Sequence, residues 1–366
     1  MSQSSRFVML GGFLGAGKTT TISRLAKHFR EQGKRLAIVT NDQATDLVDT
    51  NLLRSQGFDV GEVAGSCFCC NFNELTETVE RLGASQRPDL ILAEPVGSCT
   101  DLVATVIRPL QRLYSRPLEI APYGVILKPS HGGKILRRSG HGGFSPQAEY
   151  IFRKQLEEAD FIVLNRIDEL TPSEADELCG LIREQFANKP LIRTSAKTGE
   201  GFESLLAIVE QPGGPSRQLI DVDYDIYAQG EAELGWLNCQ ASIESGDPFS
   251  LDELLIRILE RLKRSFSAAG AETAHLKAIG LHADKLAVAN LISNDSEPVL
   301  SLPSLLITQS ADLVINARVA INPESLSVWV TNSIAAESEA ILGRSSIRTL
   351  QSFSPGRPVP THRLDD

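Results

Sequence analysis

The ten residues GGFLGAGKTT, Gly11–Thr20, decide how the rest of this 366-residue chain is read. They contain Gly12, four residues, then Gly17-Lys18-Thr19, the pattern of a phosphate-binding loop. Glycine permits the tight turn that aims successive backbone N–H groups at a phosphate, so Gly12, Gly15, Ala16, Gly17 and Thr20 are candidate nucleotide contacts. Lys18 can reach the β- and γ-phosphates as a point charge, and the Thr19 hydroxyl can take one Mg²⁺ position. An apolar run, Phe7-Val8-Met9-Leu10, precedes the loop. Ile22, Leu25, Ala26 and Phe29 follow at helical spacing, so the phosphates would sit at a helix N-terminus.

Working outward, Arg35–Thr40 reads as the second strand of a βαβ unit, ending in Thr40-Asn41-Asp42, where parallel sheets hold their ligands. Asp42 is therefore either a Mg²⁺ holder with a catalytic part or a helix N-cap. Asp89-Leu-Ile-Leu-Ala-Glu94 is an apolar strand ending in a carboxylate and followed by Pro95-Val96-Gly97. It has the character of a Walker B strand with glutamate for aspartate. Glu94 would lie near Mg²⁺ or the attacking water, and the Gly97 amide near the γ-phosphate. Further on, the strand Asp160–Leu164 ends in Asn165-Arg166-Ile167-Asp168, and Leu191-Ile-Arg leads into Thr194-Ser195-Ala196-Lys197. In this order after a phosphate loop, the two read as the guanine-binding elements of a GTPase. Arg166 stands where a lysine stem would cover the base, and a guanidinium stacks in the same way.

Between Asp42 and Glu94, which mark the first and second switch candidates, lies Gly65-Ser66-Cys67-Phe68-Cys69-Cys70. Three thiols within four residues, in a polar loop, suit soft thiolate ligation of one ion. Redox switching and inert packing are the alternatives. Cys99 lies in the second switch candidate and is read as packing first and as an added ligand second. Residues 128–146, with His131-Gly-Gly and His141-Gly-Gly, read as a loop, either a lid or a plain insertion. The two histidines lack ligand spacing and are not counted as ligands.

Composition bounds the rest. A length of 366 residues allows about two domains. Hydrophobic content of 42% and charged content of 22% are those of a globular protein. A net charge of −10 without a dense basic run argues against nucleic acid, and no apolar segment is long enough to span a bilayer. The expected location is cytoplasmic, since the N-terminal apolar run ends in the phosphate loop rather than in a signal cleavage site. The chain divides into a P-loop domain of α/β type over 1–210, a Pro/Gly linker at 211–217, an α+β domain over 218–345 and a disordered tail at 346–366. The second domain is read as strands around one helix, Ser250–Phe266, in a ferredoxin-like arrangement, with Ser327–Val330 as one more strand.

Together GGFLGAGKTT, CFCC, AEPVG, NRID and TSAKTGEG, in this order over the first 210 residues, resemble the CobW/HypB/UreG group of metal-handling GTPases, and the C-x-C-C loop resembles its CobW-like branch. The resemblance implies a SIMIBI-type fold, a mostly parallel sheet with helices on both faces, Mg²⁺-dependent GTP hydrolysis and delivery of Zn²⁺ or Co²⁺. The partner would be a client metalloprotein or cofactor-synthesis enzyme, and a homodimer is compatible with it. By that likeness Cys67, Cys69 and Cys70 are metal ligands, Lys18 and Thr19 nucleotide and Mg²⁺ contacts, and Asn165 and Asp168 guanine readers. The chain departs from the group at Asn41-Asp42-Gln43-Ala44, where Asn-Glu-Phe-Gly is usual. It also has Glu94-Pro95-Val96-Gly97 for Glu-Thr-Thr-Gly, and Leu127-Lys128-Pro129 for a Val-Asp-Ala ending. The second reading is a regulatory or cofactor-loading GTPase whose cysteines are structural or redox-active.

Overall fold

A computed structural model of the chain describes residues 4–41, 48–84, 86–116, 118–137, 145–212 and 218–365. It divides into two units, Met1–Tyr227 with Arg357–Asp366, and Ala228–Gly356.

The first unit is built on parallel strands β1 (Ser5–Gly12), β2 (Leu36–Asn41), β3 (Val60–Val63), β4 (Leu90–Glu94), β5 (Leu118–Ile120), β6 (Gly124–Leu127), β7 (Phe161–Leu164) and β8 (Leu191–Arg193). Their order is β3-β2-β4-β1-β6-β7-β8, with β5 also on β1. Strands such as Phe161-Ile-Val-Leu164 are apolar throughout because both faces of the sheet are covered. Helix α1 (Lys18–Glu31) packs Ile22, Leu25 and Ala26 against Val8, Ile38, Leu92 and Ile126 of the strands. Because β2, β4 and β1 are parallel neighbours, Asn41, Glu94 and Gly12 emerge along one edge of the sheet.

Residues 129–136 are helical, Pro129–Leu136, rather than looped. The glycines that suggest mobility serve packing. A Cβ on Gly132 would come 2.6 Å from Leu127 Cδ1, so only glycine lets this turn of helix lie on the strand end. His131 is fully buried beside Phe13, with ring centroids 6.2 Å apart. Burial, reinforced by Lys128 and Lys134, holds its pKa well below the usual value, so it packs as a neutral ring. His141 lies outside the described residues.

The second unit is a six-stranded antiparallel sheet of β9 (Gly235–Ser250), β10 (Thr273–His282), β11 (Lys285–Leu291), β12 (Val299–Leu302), β13 (Ile307–Val319) and β14 (Gly343–Phe353), ordered β12-β11-β10-β13-β9-β14. The helix Leu251–Ala268 joins β9 to β10, and the helix Pro323–Ala340 joins β13 to β14. The four strands β14-β9-β13-β10 have ferredoxin-like connectivity, with β11 and β12 added at one edge.

Two sequence expectations about the C-terminal part of the chain are corrected. Ser327–Val330 is helical: its β-prone Val-Trp-Val run is overridden by Pro323 in the first turn and by Asn322, whose side chain accepts from Ser325 N at 2.8 Å. Leu326, Val330 and Ile334 then share the face that enters the core. The region beyond 345 is ordered as well. Residues 343–353 pair with β9, and residues 357–365 return to the first unit. Proline-rich composition signals disorder, but each extended stretch finds backbone hydrogen-bond partners. Among the described residues no helix is long and apolar enough to cross a membrane.

Candidate functional site

The phosphate loop is shaped by close approaches that only glycine allows. Gly12 has φ +134°, and a Cβ there would lie 2.1 Å from Ile126 O. Gly17 has φ +93°, with Asn165 Nδ2 2.4 Å from where its Cβ would stand. The loop delivers Lys18, buried, with Nζ donating to Gly12 O at 2.9 Å. Thr19 Oγ1 donates to Glu94 Oε1 at 2.9 Å, both residues being buried. This pairing of a hydroxyl with a carboxylate gives the hard oxygen donors that Mg²⁺ prefers. Gly97 reaches the same place: a Cβ on it would be 2.7 Å from Leu14 Cδ2 and 3.0 Å from Lys18 Nζ. Gly15 and the exposed Thr20 complete the loop and the first turn of α1. Asp42 lies outside the described residues.

The structure gives Asn165 a bracing part. Its Nδ2 donates to Ala16 O at 2.8 Å, and its Oδ1 accepts from Ala196 N at 2.9 Å. Both ends of the amide are thus engaged, tying the phosphate loop to the Ser195–Lys197 turn. Ser195 and Ala196 are buried, and the exposed Lys197 offers its carbonyl to Arg24 Nη2 at 2.8 Å. Arg166 takes a left-handed backbone, φ +64°, and pairs with Glu169 at 2.6 Å. That turn places the exposed Asp168 at the rim.

The cysteine loop hangs from the end of β2. Asn41 Nδ2 donates to Val63 O at 2.8 Å and to Ser66 O at 2.7 Å, while its Oδ1 accepts from Phe68 N at 2.8 Å. A turn closed by Cys70 N to Cys67 O, 3.0 Å, then brings the sulfurs together. Cys67 Sγ lies 3.0 Å from Cys69 Sγ and 3.1 Å from Cys70 Sγ, and the latter two are 3.7 Å apart. Cys67 and Cys69 are buried and Cys70 is half-buried. Hydrogen bonding with Cys69, then with Cys70 and Cys99, holds the Cys67 thiol well below its usual pKa. The hydrogen bond with Cys67, together with burial, raises the Cys69 thiol and pushes Cys70 up to about 11. Sulfurs this close favour a shared thiolate within the cluster, which suits metal capture or redox chemistry.

Three features escape sequence reasoning. Asn41 works as the hanger of the cysteine loop, a part signalled only by its place at the strand end. Cys99 reads chiefly as packing, yet its sulfur and those of Cys67 and Cys69 all lie within 4.8 Å of one another. The segment 357–365 straps the loop: Thr361 N donates to Cys69 O at 2.8 Å and Thr361 Oγ1 to Cys70 O at 2.9 Å. His362 meets the Phe72 ring at 5.2 Å, and Arg363 Nε donates to Asp101 at 2.8 Å. Nothing in the residues 357–365 themselves announces this contact.

A P-loop nucleotide domain carrying a thiol cluster at the same sheet edge is the class of protein that fold and site define. A profile of the CobW/HypB/UreG nucleotide-binding domain matches residues 6–193, which is 188 of 366 residues. The chain belongs to this family of P-loop GTPases. It is 27% identical over 196 residues to the zinc chaperone YeiR of Escherichia coli (strain K12), across 52% of this chain and 55% of that protein. It is 26% identical over 226 residues to the zinc chaperone CobW of Sinorhizobium sp, across 54% and 60%. The matched region thus spans little more than half the length of these two relatives. Among solved structures, Zn(II)-bound YjiA GTPase from E. coli matches 91% of this chain and 98% of its own, at 14% identity and TM-score 0.38.

Proposed function

We propose that this chain is a GTP-hydrolysing zinc chaperone that binds its cargo through the cysteine loop and passes it to a client metalloprotein or a cofactor-synthesis enzyme. One observation carries the reading: the sulfurs of Cys67, Cys69 and Cys70 lie within 3.7 Å of one another, on a loop hung from Asn41, at the sheet edge that also bears Thr19, Glu94 and Gly12. The zinc chaperones named above support it.

In this reading the loop N–H groups of Gly15, Ala16 and Gly17 take the phosphates, and Lys18 adds its charge. Mg²⁺ supplies charge neutralisation at the phosphates, with Thr19 and Glu94 as its protein side. The Gly97 amide faces the γ-phosphate. Asp168 accepts two N–H bonds from a guanine edge, and Asn165 fixes the distance between the two halves of the pocket. Zn²⁺ is the cargo, with Co²⁺ as the alternative ion for the same thiolates. Ligation displaces thiol protons, so affinity falls as pH falls.

Zn²⁺ titration with GDP and with a nonhydrolysable GTP analogue tests the reading, and tighter binding with the analogue is expected. Equal affinity in both states would end the idea of gating. The close sulfurs also favour a second reading, a regulatory or cofactor-loading GTPase whose cysteines are structural or redox-active. If GTP-dependent client binding survives replacement of Cys67, Cys69 and Cys70 by serine, the second reading stands and the first does not.

A further inference from the structure

The run Glu94–Cys99 is only six residues long from end to end, and it touches both sites. At its start Glu94 accepts from Thr19. Gly97 is packed so closely against the Leu14 side chain, with the Lys18 amine beside it, that a Cβ there would lie 2.7 Å from Leu14 Cδ2 and 3.0 Å from Lys18 Nζ. At its end the Cys99 sulfur, buried, lies within 4.8 Å of both the Cys67 and Cys69 sulfurs. Gln155, buried on the helix Pro146–Glu158, donates from one nitrogen to Gly97 O at 3.0 Å and to Cys99 O at 2.9 Å. One amide therefore holds the phosphate-facing residue and the cysteine together, so that a displacement of Gly97 is passed to Cys99.

A packing cysteine would bury its sulfur among carbon atoms. Here the sulfur faces other sulfurs. Zinc bound at about 2.3 Å by four thiolates has sulfurs about 3.8 Å apart. Cys67, Cys69 and Cys70 stand 3.0–3.7 Å from one another and Cys99 within 4.8 Å of Cys67 and Cys69, so a shift of Cys99 toward Cys70 would complete the set. The number of thiolates matters chemically, because a four-sulfur site is closed whereas a three-sulfur site keeps one position open for exchange.

Building on the zinc-chaperone reading, we propose that Cys99 is the fourth thiolate of the cargo site and that the phosphate-facing segment carries it in and out. With a γ-phosphate at Gly97, the site is closed by four sulfurs. After hydrolysis Cys99 withdraws, its thiolate takes one proton from solvent, and the open position on the ion is available to a client's ligand.

The test uses the whole chain with Co²⁺ as the spectroscopic substitute for Zn²⁺, since sulfur-to-cobalt charge-transfer intensity grows with the number of thiolates. Wild type, Cys99→Ser and Cys67→Ser are compared with Mg²⁺ and either a nonhydrolysable GTP analogue or GDP. Wild type is expected to lose about one quarter of its intensity on going from the analogue to GDP. Cys99→Ser should show the lower value in both states. If Cys99→Ser matches wild type while Cys67→Ser falls, Cys99 is packing and the proposal is overturned, with the chaperone reading intact. If Cys67→Ser also matches wild type, the cysteine-cargo reading itself fails. A wild-type spectrum identical with both nucleotides overturns the carrying role. Zinc X-ray absorption of the wild type with the GTP analogue needs no substitution. Four sulfurs at about 2.3 Å support the proposal, and three with one lighter atom overturn it.

Discussion

The phosphate loop and the cysteine cluster lie along one edge of the same sheet, but they are made in opposite ways. The phosphate loop is a single ten-residue stretch whose working groups are backbone amides and one lysine, fixed by glycines that admit no neighbour. The cluster draws on separate places: Cys67–Cys70, Cys99 on the segment after β4, and a strap from residues 357–365. Behind Cys99 stand buried acids rather than glycines. Asp101, φ +61°, accepts from Tyr224 Oη at 2.8 Å and from Arg363 Nε at 2.8 Å, and Glu158 accepts from Thr100 and Val103. A contiguous motif holds its shape through local backbone geometry. An assembled one depends on the packing of distant segments, and packing is what a conformational change can alter.

If the two ends are separable, damaging one should spare the other. The largest effect is expected from Lys18→Ala. It removes two charge-assisted phosphate contacts at about 2 kcal/mol each, roughly a 1000-fold loss of GTP affinity. Zn²⁺ affinity measured without nucleotide should be unchanged, and a parallel loss by calorimetry would collapse the distinction.

Next in size is a pH effect confined to the cysteine side. Burial raises Glu158 from 4.5 to about 8, opposed by hydrogen bonds from Val103 and Thr100. The folded state therefore keeps a proton that the unfolded chain releases, and stability falls as pH rises from about 4.5 to about 8. Glu158→Gln should flatten that slope, leaving the protein more stable than wild type near pH 7.5 by at most a few kcal/mol and little changed below pH 4.5. Thermal melts across this range check it, and an unchanged slope would show that Glu158 is not the group responsible.

The smallest effect should come from the strap. Removing residues 357–366 deletes the two Thr361 hydrogen bonds to the cysteine loop, at about 1 kcal/mol each or less. Zn²⁺ dissociation should quicken about tenfold, read by transfer to a chromogenic chelator, with GTP affinity unaltered. Unchanged release would mean that the strap only decorates the loop.

How much of this is legible in the sequence follows from the same contrast. The alternation of apolar strands and amphipathic helices, and the residue types of GGFLGAGKTT, Glu94 and the Cys67–Cys70 loop, carry their chemistry in local spacing. They are therefore legible in the residues alone. Ser327–Val330 misleads because β-branched and aromatic residues favour strands until a cap and a core-facing stripe outweigh them. Residues 129–136 and 346–365 mislead because glycine and proline signal looseness only where nothing packs against them.

The sequence by itself determined the parallel nucleotide-binding sheet, its phosphate loop and the presence of a sulfur-rich loop, since each is specified by residues within a few positions of one another. Only the tertiary structure decided that Asn165 braces the pocket, that Asn41 suspends the cysteine loop, that Cys99 joins the sulfurs and that residues 357–365 cover them. Those facts depend on which distant segments share a sheet edge, and strand order, not residue spacing, determines that.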